Sequence, residues 1–251
     1  MALLLRTAAA RPVCSLVRAA APAARPTSTH WLTGNEVHIT RAAATHANAM
    51  AVGKLDASRC VLFVCDVQER FAPLIHRFDA VAHTSAQLLR GCNALGIPAL
   101  VTEQYPKALG HTVPEVSSHV ADGTPVLEKT LFSMVLPEVA QRFDAGGEWN
   151  GRDQVIICGI ESHVCVMQTA LDLAERGCEV HVVVDGVSSQ RSEERQVALN
   201  RLNRIPGAFL CTWEMALFQL CGHAKHDAFK QISALAKEDR PRPMLCMDSA
   251  L

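Results

Sequence analysis

Beyond Leu55 the apolar and polar positions fall into two alternating rhythms. Short β-rich apolar runs, such as CVLFVCDV at Cys60 to Val67 and QVIICGI at Gln154 to Ile160, read as buried strands. Between them lie stretches with apolar residues spaced for one helix face. Phe78 to Leu95 carries them at 78, 81, 88, 89, 92 and 95, which predicts a helix that Gly96 stops. The same reading places strands at Pro98 to Glu103, Pro125 to Leu127, Glu179 to Asp185 and Ala208 to Thr212. It places helices at about His163 to Arg176, Glu193 to Arg204 and, as a pair, within Trp213 to Lys237. Strand and helix alternate without long linkers, so the expectation is α/β: a single domain over 55–237 with a mostly parallel six-stranded sheet, followed by a tail at 238–251.

Charge changes the picture at the front of the chain. Net charge is -1, but residues 1–50 hold five Arg and one Glu in an Ala-rich background. That composition is transit-peptide-like and predicts a mitochondrial destination; the alternatives are a disordered extension or a start at Met50, which leaves the protein cytoplasmic. The remaining body is mildly acidic, with Lys and Arg unclustered, so no nucleic-acid partner is expected. No apolar run approaches the roughly 20 residues needed to cross a bilayer, so no membrane partner is expected either.

The ten Cys include no C-x-x-C, and most lie within apolar runs, as Cys60, Cys65, Cys158 and Cys211 do. They read as reduced, packed small hydrophobes. The eleven His show no H-E-x-x-H, and no D-x-H follows a strand; no G-x-G-x-x-G follows the first strand and no P-loop is present. Neither a metal nor a cofactor is expected, and the chemistry falls to side chains.

Parallel sheets place ligands outside the carboxyl ends of their strands. Three residues stand there: Asp66 ending the first strand, Lys129 following the third, and Cys165 where the fourth turns into a helix. A thiol in the first helical turn meets unsatisfied backbone N–H groups that favour the thiolate. Together the three supply a base, a cation and a nucleophile, the set that covalent attack on a carbonyl requires.

FVCDVQERF, TEQYP, EKTLFSM and CGIESHVCVMQTALDLAERG followed by VHVVVDGVSS, taken in order, resemble the isochorismatase-like cysteine hydrolases over about Leu55 to Ile232. The resemblance implies a three-layer, Rossmann-like fold and a homo-oligomer. It also implies an Asp66, Lys129, Cys165 triad, a cis peptide at Ile160 to Glu161, and an oxyanion held by the backbone N–H groups of Glu161 and Cys165. Phe71, Gln104, Tyr105, Phe132 and His163 flank the motifs and are the pocket candidates. Metal-binding relatives carry D-x-H where this chain has Glu103, Gln104 and Tyr105, and His111 lies further along a Gly-containing turn, which points away from a metal. The resemblance implies a C–N hydrolase acting on a small amide or related acyl substrate. A mitochondrion-associated ribonuclease and a catalytically idle interaction protein are the alternatives.

Overall fold

The computed structural model describes residues 52–241. The extension expected over 1–50, and residues 242–251 of the expected tail, lie outside the described residues. Six parallel strands form one sheet in the order β3-β2-β1-β4-β5-β6. They are β1 (Cys60–Cys65), β2 (Ala99–Gln104), β3 (Val126–Lys129), β4 (Gln154–Ile160), β5 (Glu179–Ser188) and β6 (Ala208–Cys211). The longer helices are α1 (Phe78–Ala94), α5 (Met167–Glu175), α6 (Ser192–Leu202), α7 (Trp213–Cys221) and α8 (Phe229–Leu235).

Every residue of β1 is buried, and its alternation assigns the two faces of the sheet. Cys60, Leu62 and Val64 pack with Leu88 of α1, Leu217 of α7 and Ile232 of α8. Val61, Phe63 and Cys65 pack with Trp149, Leu173 of α5 and Leu199 of α6. Helices cover both faces, as a parallel sheet requires, and the three-layer, Rossmann-like arrangement is the expected one. The strand order reverses between β1 and β4, the switch point at which such sheets bind ligands.

Four local features differ from the sequence expectation. Lys129 is the last residue of β3 and does not follow it, because pairing continues until Gln104 meets Lys129. β5 runs past Asp185 to Ser188: its register with β4 shifts between Ile157 and Gly159, and Val187 and Ser188 rejoin at Gly159 and Ile160. The helix expected from His163 opens instead as a π-helical turn, Ser162–Val166, before α5 begins. Three short helices were not anticipated: α2 (Pro106–Leu109), α3 (Pro114–Ser117) and α4 (Pro137–Phe143). Each starts on a proline, whose missing N–H is no loss at the first helical position.

At Gly159 the backbones of β1 and β4 leave no room for a side chain. Gly159 pairs with Cys65 at a φ of +111°, and a Cβ there would stand 2.0 Å from the Cys65 carbonyl oxygen, a backbone atom with nowhere to move. Gly159→Ala should therefore destabilise the fold by about 3 kcal/mol or more in urea titrations. Gly177→Ala, at φ +84° with open space around it, should lose only about 1 to 2 kcal/mol from its left-handed backbone. Equal losses in the two variants would contradict the close approach.

Candidate active site

At the end of β1 the chain turns sharply. Asp66 has a φ of +52°, a left-handed conformation that Asp tolerates better than most residues. Its N–H donates to the Thr102 carbonyl on β2 at 3.1 Å. The Thr102 hydroxyl donates to Asp66 Oδ1 at 2.7 Å, and Lys129 Nζ donates to Oδ2 at 2.7 Å. Both charged side chains are shut from solvent, at 0% exposure for Lys129 and 1% for Asp66.

A buried ion pair is costly unless its remaining donors and acceptors are satisfied. Lys129 meets that condition: it also donates to Gln104 Oε1 at 2.7 Å, Phe132 O at 2.9 Å and Leu131 O at 3.2 Å. Burial works to lower its pKa, but the acidic groups packed around it, above all the Asp66 carboxylate with its charge and hydrogen bond, carry it above the ordinary lysine value. The ammonium stays charged.

Cys165 arrives from β4. It lies in the Ser162–Val166 turn, 7% exposed, with the Ile160–Glu161 bond cis as the resemblance implies. The Glu161 carbonyl accepts from the N–H groups of Val164 and Val166 at 3.0 and 3.2 Å, and Thr169 Oγ1 donates to the Cys165 carbonyl at 2.6 Å. The same Thr169 oxygen accepts from the Met134 N–H at 2.9 Å, tying the turn to the segment after β3. Cys165 Sγ, Cys65 Sγ and an Asp66 carboxylate oxygen all lie within 4.8 Å of one another. The structure thus gathers Asp66, Lys129 and Cys165 at one place.

Cys65 is the reduced, packed residue expected of it, and it also belongs to the same cluster. Burial first, then its hydrogen bond to Cys165 and the nearby Asp66 charge, push its thiol well above the ordinary range, so it remains S–H. Alternation along β1 carries the signal: residues 61, 63 and 65 share the face that α5 covers.

The pocket candidates divide. Gln104 supports the ion pair: its Oε1 holds Lys129, its Nε2 donates to Thr130 O at 3.0 Å, and its backbone N–H and carbonyl are clamped by the buried side chain of Gln68 at 2.7 and 3.0 Å. Gln68 and Thr102 are supporting residues that sequence reasoning missed. Phe71 is partly buried against the core on the α1 side. Tyr105 and Phe132 are exposed, Tyr105 beside a cavity of about 320 Å³ that Lys129 also lines. His163 is part-exposed with Nδ1 2.9 Å from Ser189 Oγ. The Glu161 carboxylate accepts from the Gln190 N–H at 2.9 Å.

Glu103 and His111 build a loop clamp. Glu103 Oε1 accepts from the Thr112 N–H at 2.6 Å and hydroxyl at 2.8 Å, and Oε2 lies 2.8 Å from His111 Nδ1. His111 is therefore nearer than its place in the sequence suggests, but the pair satisfy each other. Among the described residues the one grouping of three metal-type donors is Cys65, Asp66 and Cys165. It does not fit a cation, because the buried Lys129 ammonium already supplies a positive charge 2.7 Å from the Asp66 carboxylate and would repel a second one.

Comparison with known proteins agrees with this architecture. The isochorismatase domain model matches residues 60–215. Isochorismatase domain-containing protein 2 of Danio rerio is 45% identical over 190 residues, covering 76% of this chain and 93% of that protein. Isochorismatase family protein 1A of Dictyostelium discoideum is 41% identical over 194 residues, covering 76% and 92%. Among solved structures, MAR1 ribonuclease from Caenorhabditis elegans superposes with a TM-score of 0.72 at 41% identity, over 79% of this chain and 100% of that one. The octameric YcaC gene product of Escherichia coli shares the fold at 22% identity, with a TM-score of 0.65 over 72% and 88% of the two chains.

The Glu103–His111 clamp has a measurable pH signature. Burial acts to raise Glu103, but the Thr112 N–H, His111 and the Thr112 hydroxyl together hold it below the ordinary glutamate value. His111 is raised, first by its hydrogen bond to Glu103 and then by that carboxylate's charge. The stabilisation carried by His111 is complete below the unfolded histidine value and is lost as pH rises through the raised folded one. That carried by Glu103 is present above the unfolded glutamate value and is lost as pH falls through the lowered one. In an NMR titration the His111 midpoint should lie above about 6.5 and fall back toward it in Glu103→Gln. A midpoint indifferent to that substitution would break the clamp.

Proposed function

We propose that this chain, which belongs to the isochorismatase family, is a cysteine hydrolase that opens a small amide or related acyl substrate through a thioester on Cys165. The observation that carries this reading is the placement of the Cys165 sulfur within 4.8 Å of an Asp66 carboxylate that a buried lysine holds in place.

Asp66 accepts the Cys165 thiol proton, and the gap between them closes when substrate is bound, as catalytic contacts often do. Lys129 keeps the site balanced: its positive charge favours the thiolate and fixes the carboxylate. The thiolate attacks the carbonyl carbon, forming the S–C bond and an oxyanion. Backbone N–H groups of Glu161 and Cys165, at the carboxyl end of β4, receive that oxyanion, each such donor being worth about 3 kcal/mol. Collapse breaks the C–N bond, and the leaving amine takes the proton from Asp66. Water, deprotonated by the same carboxylate, then attacks the thioester; the C–S bond breaks, the acid leaves, and the proton on Asp66 returns to the Cys165 sulfur. Tyr105, Phe132 and His163, on the loops around these strand ends, form the walls and exclude a bulky substrate. The resemblance supports a homo-oligomer as the working form.

A second reading, a ribonuclease, is favoured by the 41% identity to the Caenorhabditis elegans protein of that name. Phosphodiester cleavage needs a cation free to face the phosphate. The cation at this site, Lys129, is fully buried and bonded to Asp66, Gln104 and two carbonyls, which favours acyl chemistry.

A library of small amides and a labelled RNA, each incubated with the wild type and with Cys165→Ala, separates the two. Amide hydrolysis should appear and fall by at least about a thousand-fold in Cys165→Ala, with RNA intact. Iodoacetamide at neutral pH should label Cys165 ahead of Cys60 and Cys158, whose thiols burial pushes up to about 12. RNA cleavage that survives Cys165→Ala, with no amide turned over, would overturn the hydrolase reading.

A further inference from the structure

We propose that Cys65 is a resolving thiol for Cys165, so that peroxide converts the pair into a reversible intramolecular disulfide at the centre of the site. The inference rests on Cys165 being a thiolate nucleophile and adds a modification site beside it.

The geometry comes from the sheet. Cys65 is the last residue of β1, on the face that α5 covers, and the residue opposite it on β4 is Gly159, which has no side chain to stand between the strands. Cys165 follows β4 by one turn. The two sulfurs lie within 4.8 Å of each other, so about 3 Å of approach closes a disulfide of about 2 Å. Cys165 sits in a π-helical turn ahead of the regular helix. The other thiols of β1 and β4 lie on the opposite face of the sheet with different partners: Cys60 faces Gln154 and Cys158 faces Ser85, each at 3.4 Å. Catalysis by Asp66, Lys129 and Cys165 makes no demand for a sulfur at position 65; packing alone would be served by Val or Ala.

The chemistry closes in two steps. The Cys165 thiolate attacks a peroxide oxygen, the S–O bond forms, the O–O bond breaks, and the departing hydroxide takes up a proton as water. The Cys65 sulfur then attacks the sulfenic sulfur; the S–S bond forms, the S–O bond breaks, and the Cys65 proton leaves with the hydroxyl as a second water. Two thiols lose two electrons and hydrogen peroxide gains them. The enzyme is silenced while the disulfide stands, and an added dithiol restores it. Without Cys65 the sulfenic acid stays open to a second peroxide and to irreversible sulfinic acid.

The test uses the full reduced chain and hydrogen peroxide. Iodoacetamide labelling first establishes that Cys165 is reactive. A few equivalents of peroxide should then lower the intact mass by about 2 Da and join the tryptic peptides Cys60–Arg70 and Asp153–Arg176. Fragmentation should place the link at Cys65 and Cys165, and dithiothreitol should return Cys165 to labelling. Cys65→Ser, and independently Cys65→Val, should instead gain about 32 Da at Cys165 and stay unlabelled after reduction. Wild type that labels fast beforehand but gains about 32 Da without a cross-link overturns the resolving role and leaves the nucleophile reading intact. Slow labelling of Cys165 before any peroxide overturns the nucleophile reading and this inference with it.

Discussion

A lysine ammonium and an aspartate carboxylate sit together, buried at the carboxyl end of the sheet, and the surrounding loops are shaped by the need to keep both charged. Lys129 reaches four acceptors from three segments of chain. Asp66 is turned into place by a left-handed backbone and completed by Thr102. Gln104 is bent inward to serve Lys129 only because Gln68 holds its backbone on both sides. Tyr105, also left-handed, donates its N–H to the Lys129 carbonyl and so starts the next loop from the same point. Removing either charge strands the other in a medium that penalises it by several kcal/mol.

Topology explains why a sulfur meets this pair. In the order β3-β2-β1-β4-β5-β6 the chain leaves β1 toward one side of the sheet and β4 toward the other, so their carboxyl ends face a common opening. Asp66 leaves the first of these strands and Cys165 the second. Lys129 comes from the edge strand β3, two strands away from β1, and its long stem carries the charge across. The fold supplies the meeting point, and the residue types decide the chemistry.

The parts legible in the sequence are those whose burial is local. β1 and β4 are unbroken apolar runs, α1 shows a clear apolar face, and the three chemical residues stand at strand ends that the runs themselves define. What escaped depends on contacts distant in sequence. Glu103 at a strand end and His111 further along a Gly-containing turn look separate and turn out to be a clamp, because Thr112 pins the segment between them. Gln104 reads as a pocket residue, yet its side chain points at Lys129. The short helices begin at Pro106, Pro114 and Pro137, where proline's fixed φ was the only local signal. Cys65 was legible by alternation along β1, but in an apolar run a thiol and a small hydrophobe look alike until the position of Cys165 is known.

Stability and Cys165 alkylation measured on Asp66→Asn, Lys129→Met and the double variant test the buried pair most directly. If the pair both holds the loops and activates the thiol, each single variant loses about 3 to 5 kcal/mol by leaving a charge unpaired, while the double variant regains most of that loss. All three should label Cys165 slowly, because neither the proton acceptor nor its organising charge is complete. Single variants as stable as the wild type, or a double variant whose Cys165 still alkylates at the wild-type rate, would show that the ion pair does not govern the site.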